Sequence, residues 1–113
     1  MDNCIFCKII TGEMSSDVVY RDEDIMAFKD ISPQAPIHIV IVPIQHFDNI
    51  LNVPAGNETM LHVQNAVNRI AIKLNIATDG FRLVCNCGHD AGQTVEHLHF
   101  HLIAGRELGW PPG

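Results

Sequence analysis

A chain of 113 residues, 47% hydrophobic and 18% charged, has room for one domain over residues 1–113 and too much apolar side chain to be disordered. Its formal charge of −6, with seven basic residues in no run or stripe, excludes the basic footprint of a nucleic-acid binder, so any phosphate site must supply its own local positive field. No apolar stretch nears the roughly 20 residues of a bilayer span and the first residues do not read as a signal peptide, so a cytoplasmic protein with reduced cysteines is expected.

In chain order, Cys4 to Gly12 predict a short helix that Gly12 closes. Val18–Tyr20 and Ile25–Lys29, on either side of the acidic turn Arg21-Asp22-Glu23-Asp24, predict a hairpin. Ser32 to Pro36 is a loop in which two prolines fix φ. Ile37 to Val42, β-branched except for His38, is a buried strand ended by Pro43. Asn57 caps a helix running to about Leu74, with Met60, Val63, Val67, Ile70, Ala71 and Leu74 recurring at three- and four-residue intervals as its buried face. A turn at Thr78-Asp79-Gly80, a strand from Phe81 to Asn86, a flexible loop from Cys87 to Gly92 and a last strand from His97 to Ile103 complete the chain. This is an α+β pattern, an antiparallel sheet with one long and one short helix. The mean hydropathy of +0.12 is high for so small a chain, which favours a homodimer whose interface hides apolar surface.

Alternation along the last strand puts His97, His99 and His101 on one face and Leu98, Phe100 and Leu102 on the other. Three imidazoles in a row cost burial and β-propensity, so chemistry explains them better than packing. One chemistry is a catalytic metal held by His-x-His and a third ligand. The other is covalent attack by one imidazole on phosphorus, with its neighbours fixing the tautomer and offsetting charge. The loop before the strand suits the second: Gly88, Ala91 and Gly92 leave backbone N–H groups approachable, and Asn86, Gln93 and Thr94 add side-chain donors.

The run His97-Leu98-His99-Phe100-His101-Leu102-Ile103 resembles the histidine-triad (HIT) signature. Phe28-Lys29-Asp30-Ile31-Ser32-Pro33-Gln34-Ala35-Pro36, Asn86, Gly92-Gln93-Thr94-Val95, Gly105-Arg106 and the ending Trp110-Pro111-Pro112-Gly113 resemble the Hint-type branch of that family, so the likeness covers nearly the whole chain. The resemblance implies a five-stranded antiparallel sheet with two helices, paired in a homodimer into one ten-stranded sheet. It implies hydrolysis of purine nucleoside 5′-phosphoramidates through a nucleotidyl-histidine intermediate. By position, His99 is the nucleophile, His101 bonds the phosphate oxygens, and His38 orients the imidazoles and relays protons. Asn86, Gly92 and Thr94 match positions that hold phosphate and leaving group, with Gln93 among them as a further donor. Asp30 matches the ribose carboxylate, Ile5, Phe6, Ile9, Phe28 and Ile31 the apolar pocket for the base, and Trp110 a residue that approaches the partner subunit's site. On residue type alone, Asp30 reads as a turn former and His38 as a satisfied core histidine. Ser15 and Ser16 stand where many relatives have a proline, a change expected to touch a turn and not the site.

Cys4-x-x-Cys7 has metal-ligand spacing but is half a tetrahedral site. Resemblance to bacterial members with this N-terminus makes His46 and His97 the other ligands of a structural zinc. A rival set is Cys4, Cys7, Cys85 and Cys87, against which Cys85 sits in an apolar strand. Two further readings of function remain open from the residues: a zinc-dependent hydrolase that uses the histidine strand as metal ligands, and a nucleotide-binding interaction module with little turnover.

Overall fold

The computed structural model describes residues 3–113. Helix α1 (Ile5–Thr11) precedes a hairpin of β1 (Val18–Arg21) and β2 (Ile25–Lys29), then β3 (Ile37–Pro43), helix α2 (Thr59–Lys73), β4 (Arg82–Val84) and β5 (Phe100–Ala104). The five strands form one antiparallel sheet in the order β1-β2-β3-β5-β4. No helix among the described residues is long and apolar enough to cross a membrane.

β3 is central, and its unbroken apolar run follows from burial on both faces. Ile39 and Ile41 join the core beneath α2, whereas Val40 and Val42 join a smaller cluster with Phe6, Ile9 and Phe28 beneath α1. Ile25, Ile41, Ile70 and Leu102 are fully buried in the larger core, each contributing roughly 1.5–3 kcal/mol of transfer free energy. α1 is short but capped at both ends. The Cys4 sulfur accepts the Cys7 backbone N–H at 3.3 Å, and Gly12, at φ +83°, turns its own N–H back to Ile9 O.

Three elements differ from the sequence expectation. α2 begins at Thr59, whose N–H is accepted by the Asn57 side chain at 2.8 Å, and its buried stripe takes in Thr59 and Ala66 while Met60 lies at the exposed edge. β4 is three residues long, because an edge strand has only β5 to pair with and the chain beyond Val84 departs from it. β5 starts at Phe100 and not at His97: the chain bends at Val95–His97, and Leu98 N–H bonds to Phe47 O at 2.7 Å. Leu98, Phe100 and Leu102 nevertheless face the α2 core as alternation requires. Between β4 and β5, Cys87–Gly92 carries a 3₁₀ turn at His89–Ala91.

Past β5, Gly105 sits at φ +96°, and a Cβ there would lie 2.8 Å from the Pro36 ring. Glycine thus lets the Ser32–Pro36 loop press against the end of β5 and reach back over β3. That loop fixes a histidine.

Candidate active site

α1 lies over the face of the sheet that carries the histidines, and between them opens a cleft of about 310 Å³. Its apolar walls are Ile5, Phe6 and Ile9 from α1 and Phe28 and Ile31 from the β2 end. Asp30, Gly92 and Thr94 stand at its rim, and His99 and His101 line it from the sheet. Met14, Ser15, Ser16, Val40 and Val95 also line it. The two serines are therefore wall residues, against the expectation that they affect only a turn. No motif marked them, since only the packing of the α1–β1 loop brings them there.

The hydrogen bonds assign the tautomers of His99, His38 and His101. His99 Nδ1 lies 2.7 Å from the His97 carbonyl, which can only accept, so Nδ1 carries the proton and Nε2 keeps a free lone pair. His38 Nδ1 accepts the Gln34 backbone N–H at 3.1 Å, so the proton of His38 is on Nε2. That Nε2 donates to His101 Nδ1 at 2.9 Å, which leaves His101 with its proton on Nε2. His38 and His101 meet because Val40 is opposite His101 in the β3–β5 register, making His38 its diagonal neighbour on the same face. The rings of His99 and His101 are 5.1 Å apart. The cleft thus presents a bare nitrogen beside an N–H donor. Burial holds His101 below its ordinary value of 6.5, with His99 and His38 adding to the effect and Asp30 opposing it. Asp30 serves two purposes: Oδ1 accepts Ser32 N–H at 2.8 Å as a turn former, and Oδ2 lies 3.4 Å from His38 Nε2.

Other residues singled out from the sequence lie outside the cleft walls. His38 is buried and reaches the cleft through His101. Gln93 spends its amide inside the fold, donating to Asp48 O and Val95 O and accepting from Gly88 N–H, so it shapes the glycine loop from behind. Asn86 is half-buried after β4. Trp110 is 81% exposed on a tail held by Arg82, which donates to Gly109 O.

A second cluster lies beside the cleft. Cys4, Cys7, His46 and His97 offer ligand atoms that all lie within 4.8 Å of one another. His97 Nδ1 is 3.3 Å from Cys4 Sγ and 3.6 Å from Cys7 Sγ, and His46 Nδ1 is 3.4 Å from Cys7 Sγ. Ligands about 2.0–2.3 Å from a tetrahedral zinc would stand about 3.5 Å apart, so the donor set fits that ion. Both imidazoles are prepared for it: His97 gives its Nε2–H to Pro43 O at 2.9 Å, and His46 gives its own to Asp48 at 2.9 Å, aiming bare Nδ1 atoms at the sulfurs. Burial and the adjacent Cys4 push the Cys7 thiol up to about 11, so metal binding must displace its proton. Cys85 and Cys87 take no part in this cluster; Cys85 packs against the α2 core, and the all-cysteine set is not assembled. His97 and His99 do not converge on one point either, since the ring of His97 turns into the cysteine cluster and His99 Nδ1 bonds backbone.

The HIT domain profile matches residues 11–108. The purine nucleoside phosphoramidase of Escherichia coli strain K12 is 44% identical over 115 aligned residues, covering 96% of this chain and 92% of that protein. A histidine triad protein from Clostridium difficile superposes with a TM-score of 0.93 at 44% identity, covering 96% of this chain and 95% of that one. A HIT family hydrolase from Clostridium thermocellum gives the same score and identity, with 96% of each chain covered.

Proposed function

The chain belongs to the HIT domain family and is a nucleotide hydrolase, and on that premise we propose that it cleaves purine nucleoside 5′-phosphoramidates through a nucleotidyl-His99 intermediate. The observation that carries this reading is the pair of opposed tautomers at the floor of an apolar cleft, a bare His99 Nε2 beside a protonated His101 Nε2. The purine lies between Phe6, Ile9, Phe28 and Ile31, Asp30 accepts from the ribose hydroxyls, and Thr94 with Gly92 flanks the phosphate.

His99 Nε2 attacks the α-phosphorus, the P–N bond to the leaving amine breaks, and the nucleotidyl group stays on Nε2. His101 Nε2–H bonds the phosphoryl oxygens as charge builds, then yields its proton to the departing amine, while the His38 Nε2–H bond to His101 Nδ1 offsets the charge left on the ring. Water then attacks phosphorus and returns a proton to His101 Nε2, the P–Nε2 bond breaks, and the nucleoside monophosphate leaves. The Cys4–Cys7–His46–His97 set would hold one zinc ion, which when bound would tie the N-terminus of α1 to the end of β3. Release of AMP from adenosine 5′-phosphoramidate, measured with and without chelator, tests the reading. Turnover should persist in chelator; no AMP in either condition would remove the proposed substrate, and complete loss on chelation would favour catalytic zinc.

Pairing of two chains is supported by what one chain leaves open. β4 is a free edge with Phe81 and Leu83 exposed, and Ile72 on α2 is 76% exposed. Antiparallel pairing of β4 with a second β4 would continue the sheet to ten strands and cover these residues. Sedimentation should show a dimer that Leu83→Lys weakens at least about tenfold, by placing a charge in an apolar contact; a monomeric parent chain would refute the pairing.

A further inference from the structure

The cysteine–histidine cluster and the nucleophile share one residue. His97 is fully buried and tied in three directions. Its ring donates Nε2–H to Pro43 O at the end of β3, its Nδ1 faces the Cys4 and Cys7 sulfurs, and its carbonyl receives the Nδ1 proton of His99. It lies at a bend before β5, where the peptide that carries this carbonyl is held by the Leu98 N–H bond to Phe47 O, the residue after His46 of the same cluster, together with the ring's own tethers. A second path runs through Phe6, between Ile5 and Cys7 on α1, whose ring packs at 5.9 Å from His97 and 5.0 Å from His99.

We infer that His97 is a positioning residue through which occupancy of the Cys4–Cys7–His46–His97 cluster sets the orientation and tautomer of His99; this rests on the reading of His99 as nucleophile. A thiol at 3.3–3.6 Å is a weak partner for His97 Nδ1, whereas a metal bond is strong and directional. With the weak tether alone, His97 can tilt and its carbonyl moves off His99 Nδ1. His99 is then free to carry its proton on Nε2, the nitrogen that must attack. A protonated Nε2 has no lone pair to give. The cluster therefore acts on the rate of the chemical step and not only on stability.

The test compares zinc-loaded and chelator-stripped full-length chain by imidazole ¹⁵N NMR and by single-turnover adduct formation with adenosine 5′-phosphoramidate. Loaded protein should bind one zinc per chain and hold His99 as the single Nδ1–H tautomer. Stripped protein, still folded by circular dichroism, should show mixed tautomers and form adduct about ten times more slowly, with nucleotide affinity essentially unchanged. His46→Gln, which loosens the cluster without touching the bonds of His97 to Pro43 and His99, should fall between the two and serves if stripping unfolds the chain. A zinc that only stabilises would raise the melting temperature and leave the His99 tautomer unmoved, and that result overturns the inference, as does failure to bind zinc. The tautomer comparison needs no turnover. Absence of adduct in both states would strike the nucleophile reading, separately from the coupling.

Discussion

His99→Ala is expected to lower turnover of adenosine 5′-phosphoramidate by at least about 10⁴-fold, because removing the nucleophile leaves only binding and charge stabilisation. The fold should survive. The His99 side chain faces the cleft and the Phe6 ring, while its neighbours Leu98 and Phe100 carry the α2 core. The apolar walls remain, so the variant should still bind the nucleotide and yield no covalent adduct. Activity within tenfold of the parent chain, measured on protein with an unchanged circular dichroism spectrum, would sink covalent catalysis by His99.

His101→Ala should lower kcat by about 10²–10³-fold with little change in KM, the usual cost of deleting one donor aimed at charge that builds in the transition state. Adduct should still form, slowly, since the lone pair of His99 does not depend on His101. His101→Gln, which can return an N–H to the same region, should recover part of the loss. Burial keeps His101 neutral to below its ordinary value, so its donor role should hold across neutral pH without a charge change. His38→Ala should resemble the alanine variant of His101: without the His38 proton on its Nδ1, His101 can take the other tautomer and turn a lone pair toward the phosphate. A rise in KM with kcat intact in these variants would instead make both residues binding groups for the ground state.

Residue identity revealed the histidine face and its partners but not their chemistry at atomic level. Alternation correctly grouped His97, His99 and His101, yet it could not say that His97 turns away into a sulfur cluster while the other two line a cleft. That difference arises at the bend before β5, where the Leu98 N–H leaves the sheet for Phe47 O. The tautomers were equally invisible, because they are set by backbone groups: the Gln34 N–H, the Pro43 carbonyl and the His97 carbonyl. Backbone groups carry no residue signature in the sequence. β3 reads as buried from its β-branched run, but which of its residues face α1 and which α2 depends on both faces being covered. Met60 kept the helical spacing and still fell at the edge of the stripe, where Ala66 is buried instead. Ser15 and Ser16 carry no signature, and entered the cleft only through the path of the chain after α1.

The measurement that bears most directly on the central claim is intact-protein mass after brief mixing with adenosine 5′-phosphoramidate, followed by peptide mapping. The account predicts a transient adenylyl adduct on the peptide containing His99, present with chelator and missing in His99→Ala. Turnover without any adduct, abolished by chelator, would contradict it.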